Sequence, residues 1–200
     1  MIEKGQVDRV IVVAVDSYLD PMTLEWLSET ERLNADENGK GLIPGEAGAC
    51  FMLESVSSSE RRHARIEARV PEALGFEQDH LCSEKRNQGI ALGSVISEAL
   101  RGASKFERFD GVVISDFNGE TWRALELGGA RVRALAELGS DPHFLFPSIS
   151  VGEVGAASGA CAVCFAARFL QRPRSRYSSA LILSSSESGE VGAVCLCKVE

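Results

Sequence analysis

A stretch of small residues at 151–160 runs directly into an apolar segment that ends at Leu170. Its small side chains include Gly152, Gly155, Ala156, Gly159 and Ala160. Side chains of this size allow a loop and the first turn of a helix to lie directly against neighbouring backbone. The segment therefore predicts a tightly packed loop at the floor of a site, followed by a helix over residues 156–170.

Strands and helices alternate along the chain. Residues 10–15 form a continuous run of β-branched residues and alanine, which predicts a strand buried on both faces. Apolar runs and alternation predict further strands at 47–54, 65–74, 109–115, 179–183 and 191–199, and a short extended segment at 144–150. Helical periodicity and start signals predict helices at 21–33, 88–104 and 122–138. This order predicts an α/β protein with a mixed sheet between helical layers.

Charge and hydropathy exclude several functions. The formal net charge is −8 and no dense basic stripe is present, which disfavours a nucleic-acid partner. No stretch approaches the ~20 apolar residues of a membrane span, and the N-terminal residues lack a signal pattern. The sequence therefore predicts a cytoplasmic protein without a membrane span.

The cysteines favour structural roles. Cys161 and Cys164 have the spacing of metal ligands, and Cys195 with Cys197 could supply a second pair. Both pairs are embedded in Ala, Val, Phe and Leu rather than in polar turns, so we expect thiols of the core. Neither a metal nor a cofactor is predicted.

Two loops carry a family resemblance. Residues 151–160 resemble the Gly-His-Leu-Leu-Gly-Ala-Ala-Gly-Ala stretch of β-ketoacyl synthases in the thiolase superfamily, with matches at Gly152, Ala157, Gly159 and Ala160. Residues 41–49 resemble that family's Gly-Phe-Val-Pro-Gly-Glu-Gly-Ala stretch, and Gly45 and Glu46 lie on matching positions in it. The residues 116–120 fall where the family has a His-Gly-Thr-Gly-Thr loop, and the turn that contains Glu187 and Gly189 falls at its closing hairpin.

The departures from the family concern its catalytic residues. Asp116 and Glu153 occupy the positions of its two histidines, Ser148 replaces the usual lysine, and the nucleophilic cysteine would lie upstream of Met1. Ionised carboxylates accept hydrogen bonds and repel a developing oxyanion, so they do not replace the histidines chemically. The resemblance therefore implies a binding or accessory protein without condensing activity. The alternative is an acyltransferase of the 3-oxoacyl-ACP synthase type whose nucleophile-bearing half is missing from this chain.

A narrower resemblance concerns the same loops. Ser-Asp-x-Asn-Gly-Glu at 115–120 and Glu-Val-Gly-Ala-Ala at 153–157 resemble motifs of bacterial thiolase-like proteins encoded beside type VI secretion effector genes. This suggests a role in effector handling and these pocket candidates: Asp116, Asn118, Gly119, Glu120, Gly152, Glu153, Gly155, Gly45, Glu46, Glu187 and Gly189. A simpler alternative is that the polar residues of 116–120 only cap the helix that starts near Thr121.

The resemblance also predicts architecture and partners. It implies a thiolase-like layered α/β/α sandwich with mixed sheets that is truncated at the N-terminus. Residues 1–84 would be the remainder of the first thiolase-like half, and residues 85–200 would be the second half. Such a chain should expose an apolar surface. We therefore expect a homo-oligomer or a complementary thiolase-like half as the partner. The narrower resemblance adds a secretion-system protein as a further candidate partner.

Overall fold

The structure is a computed structural model that describes residues 1–2, 4–34, 40–61, 68, 70, 74–78, 88–103, 109–135 and 142–199. The strands are β1 (Arg9–Ser17), β2 (Glu46–Glu54), β3 (Leu74–Gln78), β4 (Val112–Ser115), β5 (His143–Leu145), β6 (Ser179–Ser185) and β7 (Glu190–Cys197). The helices are α1 (Pro21–Glu29), α2 (Val56–Arg61), α3 (Ile90–Ala103), α4 (Thr121–Ala130), α5 (Ser148–Val151) and α6 (Ser158–Leu170).

A five-stranded mixed sheet has the order β3-β7-β6-β4-β5. Strands β5, β4 and β6 are parallel, whereas β7 is antiparallel to both of its neighbours. Alternate residues of the central strands serve different cores: Val113 and Leu181 pack with α3, whereas Val112 and Ile182 pack with α6. The sheet is therefore covered by helices on both faces, which explains the continuous apolar runs of its central strands.

Helix α6 separates this sheet from a second, two-stranded sheet made of β1 and β2. Ala166 and Leu170 of α6 pack against the five-stranded sheet, while Cys161 and the preceding Ala157 pack with Ala49 of β2. Small side chains on α6 allow backbone from both sheets to approach it closely. The layers are thus helices α3 and α4, the five-stranded sheet, α6 and the β1–β2 sheet, which confirms the layered α/β prediction.

The prediction that the first strand is buried on both faces is wrong. In β1, Ile11, Val13 and Val15 are 66%, 64% and 76% exposed, and Met52 of β2 on the same face is 47% exposed. The opposite face of the sheet packs on α6 and its preceding turn. Among the described residues no layer covers the first face, so its β-branched residues contact solvent.

Other predicted boundaries need correction. The helix expected over 21–33 ends at Glu29, and the strand expected over 109–115 begins at Val112. Residues 148–151 form a helical turn instead of extending β5, because Pro147 at its N-cap has the fixed φ of a helix start. The helix expected over 122–138 is α-helical to Ala130 and continues as π-helix over Arg131–Leu135; residues 136–141 lie outside the described residues.

Strand β3 pairs with β7, within the sheet that the other strands of 85–200 form. Most of the strand predicted at 65–74 lies outside the described residues. The polar residues 77–87 also predict a linker, but the first two of them, Glu77 and Gln78, belong to β3, and residues 79–87 lie outside the described residues. The division of the chain after residue 84 stays a prediction.

The described cysteines range from buried to exposed. Cys161 and Cys195 are buried, Cys164 and Cys197 are half-buried, and Cys50 is exposed. The part of the chain that the structure describes contains no group of three or more potential metal ligands, and none of its helices is long and apolar enough to cross a membrane.

Two adjacent glycines of α4 give a test of the packing. A Cβ atom on Gly128 would meet nothing within 4 Å, whereas one on Gly129 would lie 2.0 Å from the carbonyl oxygen of Gln88. We expect Gly128→Ala to raise the free energy of unfolding by about 0.5–1 kcal/mol, because alanine costs less backbone entropy in a helix. Gly129→Ala should lower it by at least about 1 kcal/mol. Urea denaturation measures both; equal effects would contradict the packing of α4 against residues 88–89.

Candidate functional site

The candidate site lies where the carboxyl ends of β4 and β6 meet the loop before α6. Residues 116–120 follow β4, residues 184–187 end β6 and begin its hairpin, and residues 152–155 precede α6. Parallel strands bring their carboxyl ends to one edge of a sheet, which is where such proteins place their sites. A loop at 41–45, before β2, lies against both the 152–155 loop and Gly119.

Asp116 forms a buried ion pair with Arg123. Its Oδ2 lies 2.8 Å from Nη1 of Arg123 and also accepts hydrogen bonds from the Ser185 N–H (2.7 Å) and the Ser184 hydroxyl (3.2 Å). Burial alone would lower the pKa of Arg123, but the neighbouring Asp116 and Glu153 carboxylates hold it above its ordinary value. The Asp116 carboxylate is therefore engaged by three groups of the protein itself.

Asn118 connects two buried carboxylates. Its Nδ2 donates to Oε2 of Glu120 (3.0 Å) and to Oε2 of Glu153 (2.6 Å), and its Oδ1 accepts the N–H of Glu120 (3.1 Å). The other oxygen of Glu153 accepts from the Gly155 N–H (2.9 Å) and the Ser158 hydroxyl (3.2 Å). The Asn118 amide, the Gly155 N–H and the Ser158 hydroxyl thus all donate to the Glu153 carboxylate.

Arg32 neutralises this cluster from the other side. Its Nε and Nη2 donate to the two oxygens of Glu120 at 2.7 and 3.0 Å, and its Nη atoms also reach Glu187 at 2.5 and 3.1 Å. The guanidinium lies 5.1 Å from the ring centroid of Trp26. Burial works against charge on both partners. The hydrogen bonds nevertheless lower the pKa of Glu120 and raise that of Arg32, so the pair is ionised.

The loop that carries Glu153 is fixed by backbone contacts to the 41–45 loop. The N–H of Glu153 donates to the Ile43 carbonyl (2.6 Å), and the Gly45 N–H donates to the Glu153 carbonyl (2.9 Å). Gly152 has a φ of 79°, and a Cβ on it would lie 2.9 Å from Gly45 Cα. Both glycines are therefore required by the close approach of two backbones.

The structure brings only some of the predicted residues together. One hydrogen-bonded cluster, which includes Arg32, contains four of them: Asn118, Glu120, Glu153 and Glu187. Asp116 is linked to this cluster by Arg123, which interacts electrostatically with both Asp116 and Glu153. Glu46 instead accepts from the Ser17 hydroxyl and is exposed, and Gly189 closes the β6–β7 turn by donating to Ser186. The Ser148 hydroxyl donates to the Phe117 carbonyl.

Helix capping does not account for the carboxylates. Glu120 occupies the N-cap of α4 but makes no side-chain capping hydrogen bond, and Asp116 bonds to β6 residues and Arg123. Only Asn118 has a local role of this kind, through its bond to the Glu120 N–H. Arg32 and Arg123 were not among the predicted site residues. No local pattern indicates the contact of Arg32 with Glu120, which is 88 residues away, whereas Arg123 pairs with Asp116 of the loop just before its own helix.

The space beside these carboxylates is small. A cavity of about 20 Å³ is lined by both Asp116 and Glu153 and has room for about one water molecule. Its lining includes Ser115, Asp116, Ser148, Glu153, Ser158 and Cys161. Burial, with a smaller effect of Cys164, raises the pKa of the Cys161 thiol, which disfavours the nucleophilic thiolate.

Comparison with known proteins identifies the fold. No protein-family model and no curated protein matches the chain. Among solved structures, one similar chain belongs to AntDE:AntF, a type II PKS acyl-carrier protein in complex with its ketosynthase. It is 17% identical to this chain, with a TM-score of 0.86, and the match covers 100% of this chain and 58% of that one. An oxazolomycin ketosynthase domain from Streptomyces albus is also 17% identical, with a TM-score of 0.81 and coverage of 100% and 43%.

A β-ketoacyl synthase from Burkholderia phymatum is 13% identical, with a TM-score of 0.80 and coverage of 100% and 57%. The chain therefore has the thiolase-like fold of ketosynthases, as the sequence predicted. It spans 43–58% of the length of the three compared chains.

The ionised Arg32–Glu120 pair predicts a pH dependence. Because the pKa of Glu120 lies below its ordinary value of 4.5, its stabilising effect is complete above about pH 4.5 and is lost as the pH falls through the lower, folded-state pKa. Glu120→Gln should lower the free energy of unfolding by about 2 kcal/mol at pH 7, with a difference that shrinks below pH 4.5. Denaturant titrations at pH 3–7 measure this.

The matched control is Glu25→Gln on the exposed side of α1, which should change stability by less than about 0.5 kcal/mol at every pH. A Glu120→Gln effect that is as small as the control at pH 7, or that grows towards pH 3, would contradict an ionised pair.

Proposed function

We propose that this chain is a ketosynthase-like protein that has lost condensing activity and acts by binding other proteins. The observation that supports this most directly is the state of Asp116 and Glu153, which stand where the resemblance places two catalytic histidines. Both carboxylates accept several hydrogen bonds from groups of the protein itself. An ionised carboxylate has no proton to donate to a substrate carbonyl.

The chemistry of condensation supports the same proposal. Claisen condensation needs a nucleophile that holds the acyl group and donors that stabilise an enolate or oxyanion. Here Asn118 and Ser158 donate to carboxylates, and the adjoining cavity has a volume of only about 20 Å³. Cys161 borders that cavity, but its raised pKa keeps the thiol protonated. A thioester and its attacking carbanion would have to displace the network before any reaction.

The alternative proposal is an acyltransferase whose nucleophile is supplied by another chain. It is favoured by the coverage of the solved ketosynthases, of which this chain spans 43–58% in the three compared. A nucleophile from a second chain would still meet carboxylates at positions 116 and 153. We therefore favour the binding proposal.

Incubation with acyl-CoA tests the loss of chemistry. The purified chain should show no mass increase after incubation with acetyl-CoA or malonyl-CoA, because no described thiol beside the site is poised as a thiolate. Intact-protein mass spectrometry measures this, and labelling of the exposed Cys50 by iodoacetamide is the control that the cysteines are reduced. A hydroxylamine-sensitive acyl adduct on Cys161 would contradict the proposal.

The exposed face of the β1–β2 sheet supports action through a partner. This apolar face consists of Ile11, Val13, Val15, Cys50 and Met52. Faces of this kind are usually covered in an assembly. We propose that a second copy or a complementary thiolase-like half covers it. The loop motifs further suggest that the protein acts in the bacterial cytoplasm on components of type VI secretion, in effector handling.

Two matched variants test this surface. Val15 on the apolar face and Val132 on the π-helical turn are 76% and 74% exposed. Val15→Lys should convert assemblies to monomers of 21.5 kDa, because a charge would be buried in the interface, while Val132→Lys should leave the mass unchanged. Size-exclusion chromatography with light scattering measures the mass. If the native chain is a stable monomer at about 100 μM, the proposal that a second copy covers this face is contradicted.

A further inference from the structure

A cluster of cations lies at the end of α6 and in the turn that follows it. Four arginines fall within residues 168–176, a local concentration of basic residues that the sequence analysis did not single out, and all four are exposed. Lys198 joins them, since its N–H donates to the Ser178 carbonyl at 2.7 Å. We call this set the basic patch; its members are Arg168, Arg172, Arg174, Arg176 and Lys198. The chain that carries it has a net charge of −8, so the patch stands against the overall charge.

Aromatic rings hold part of the basic patch in place. The guanidinium of Arg172 lies 5.7 Å from the ring centroid of Phe169, and that of Arg176 lies 5.1 Å from the ring centroid of Tyr177. These two rings stack on one another at 5.8 Å. Guanidinium groups that are supported on rings lose little freedom when they bind a ligand.

Internal roles explain only part of the patch. Arg168 and Arg172 are favoured by the negative end of the α6 dipole, and Arg172 and Arg176 cover aromatic rings. Neither reason applies to Arg174. No ion pair between described residues joins any of the four arginines to an acid. The nearby Asp110 carboxylate accepts instead from the N–H and hydroxyl of Ser178, at 3.1 and 2.6 Å.

The basic patch lies at the opposite end of the sheet from the candidate site. Strand β6 starts beside the patch at Ser179 and ends at Ser185, whose N–H binds Asp116. Seven residues of β-strand span about 20 Å. The patch therefore does not belong to the carboxylate cluster, and its role does not rest on the proposed loss of condensing activity.

We propose that the basic patch is a docking surface for a short acidic segment of another protein. Arginine forks match carboxylates in bidentate geometry, and the patch has room for a few such contacts. A long polyanion such as nucleic acid would extend beyond the patch over a chain whose net charge is −8, where repulsion disfavours it. A compact segment with several Asp or Glu residues avoids that repulsion.

Binding of a fluorescein-labelled hexaglutamate peptide, followed by fluorescence anisotropy at about 50 mM salt, tests this proposal. Arg174→Glu should weaken binding by about tenfold, and adding Arg172→Glu should weaken it further. Lys40→Glu reverses an exposed charge elsewhere and should change affinity by less than about twofold. Because Arg174 makes no ion pair among the described residues, its reversal should leave the fold intact, as circular dichroism can check.

Three outcomes would overturn the proposal. The first is no binding of the peptide at low salt. The second is a loss of affinity in Lys40→Glu that equals the loss in Arg174→Glu, since that would indicate a general charge effect. The third is tighter binding of a 20-nucleotide single-stranded DNA than of the peptide. None of these results depends on whether the chain forms acyl adducts.

Discussion

Three buried carboxylates and two arginines lie close together at the edge of the five-stranded sheet. The side chains of Asp116 and Glu120 are 9% and 7% exposed, and Glu153 is 4% exposed as a residue. Buried carboxylates cost several kcal/mol each unless cations and donors surround them. Arg123 and Arg32 supply the charge, and the Asn118 amide joins the remaining oxygens. The network joins the segment after α1, which carries Arg32, and the loop before α6, which carries Glu153, to residues 118–120.

Much of the fold could be predicted because local patterns dictated it. The alternation of strands and helices predicted a mixed sheet between helical layers, and the small residues of the 151–160 loop predicted close backbone contact. The burial of β1 could not be predicted, since a β-branched run does not reveal whether a layer covers it. In the site, the loop motifs pointed to Asn118, Glu120 and Glu153. Arg32 remained hidden because its partner Glu120 is 88 residues away.

The same network connects the fold with the proposed function. Gly45 lies directly against Gly152, and the Asn118 amide and the Ser158 hydroxyl donate to Glu153. The chain exposes two distinct surfaces, the apolar sheet face on β1 and β2 and the basic patch beside the start of β6. These surfaces have different chemistry and lie on different elements, so they can engage different partners. A protein that binds rather than condenses would use such surfaces.

The most direct test of this account is a double-mutant cycle on the Arg32–Glu120 pair. If this ionised pair stabilises the folded site, the effect of removing one side chain must depend on the presence of the other. The free energies of unfolding of Arg32→Met, Glu120→Gln and the double variant at pH 7 give their coupling directly. We predict a coupling of at least about 1.5 kcal/mol. Additive effects, with a coupling below about 0.3 kcal/mol, would contradict the claim.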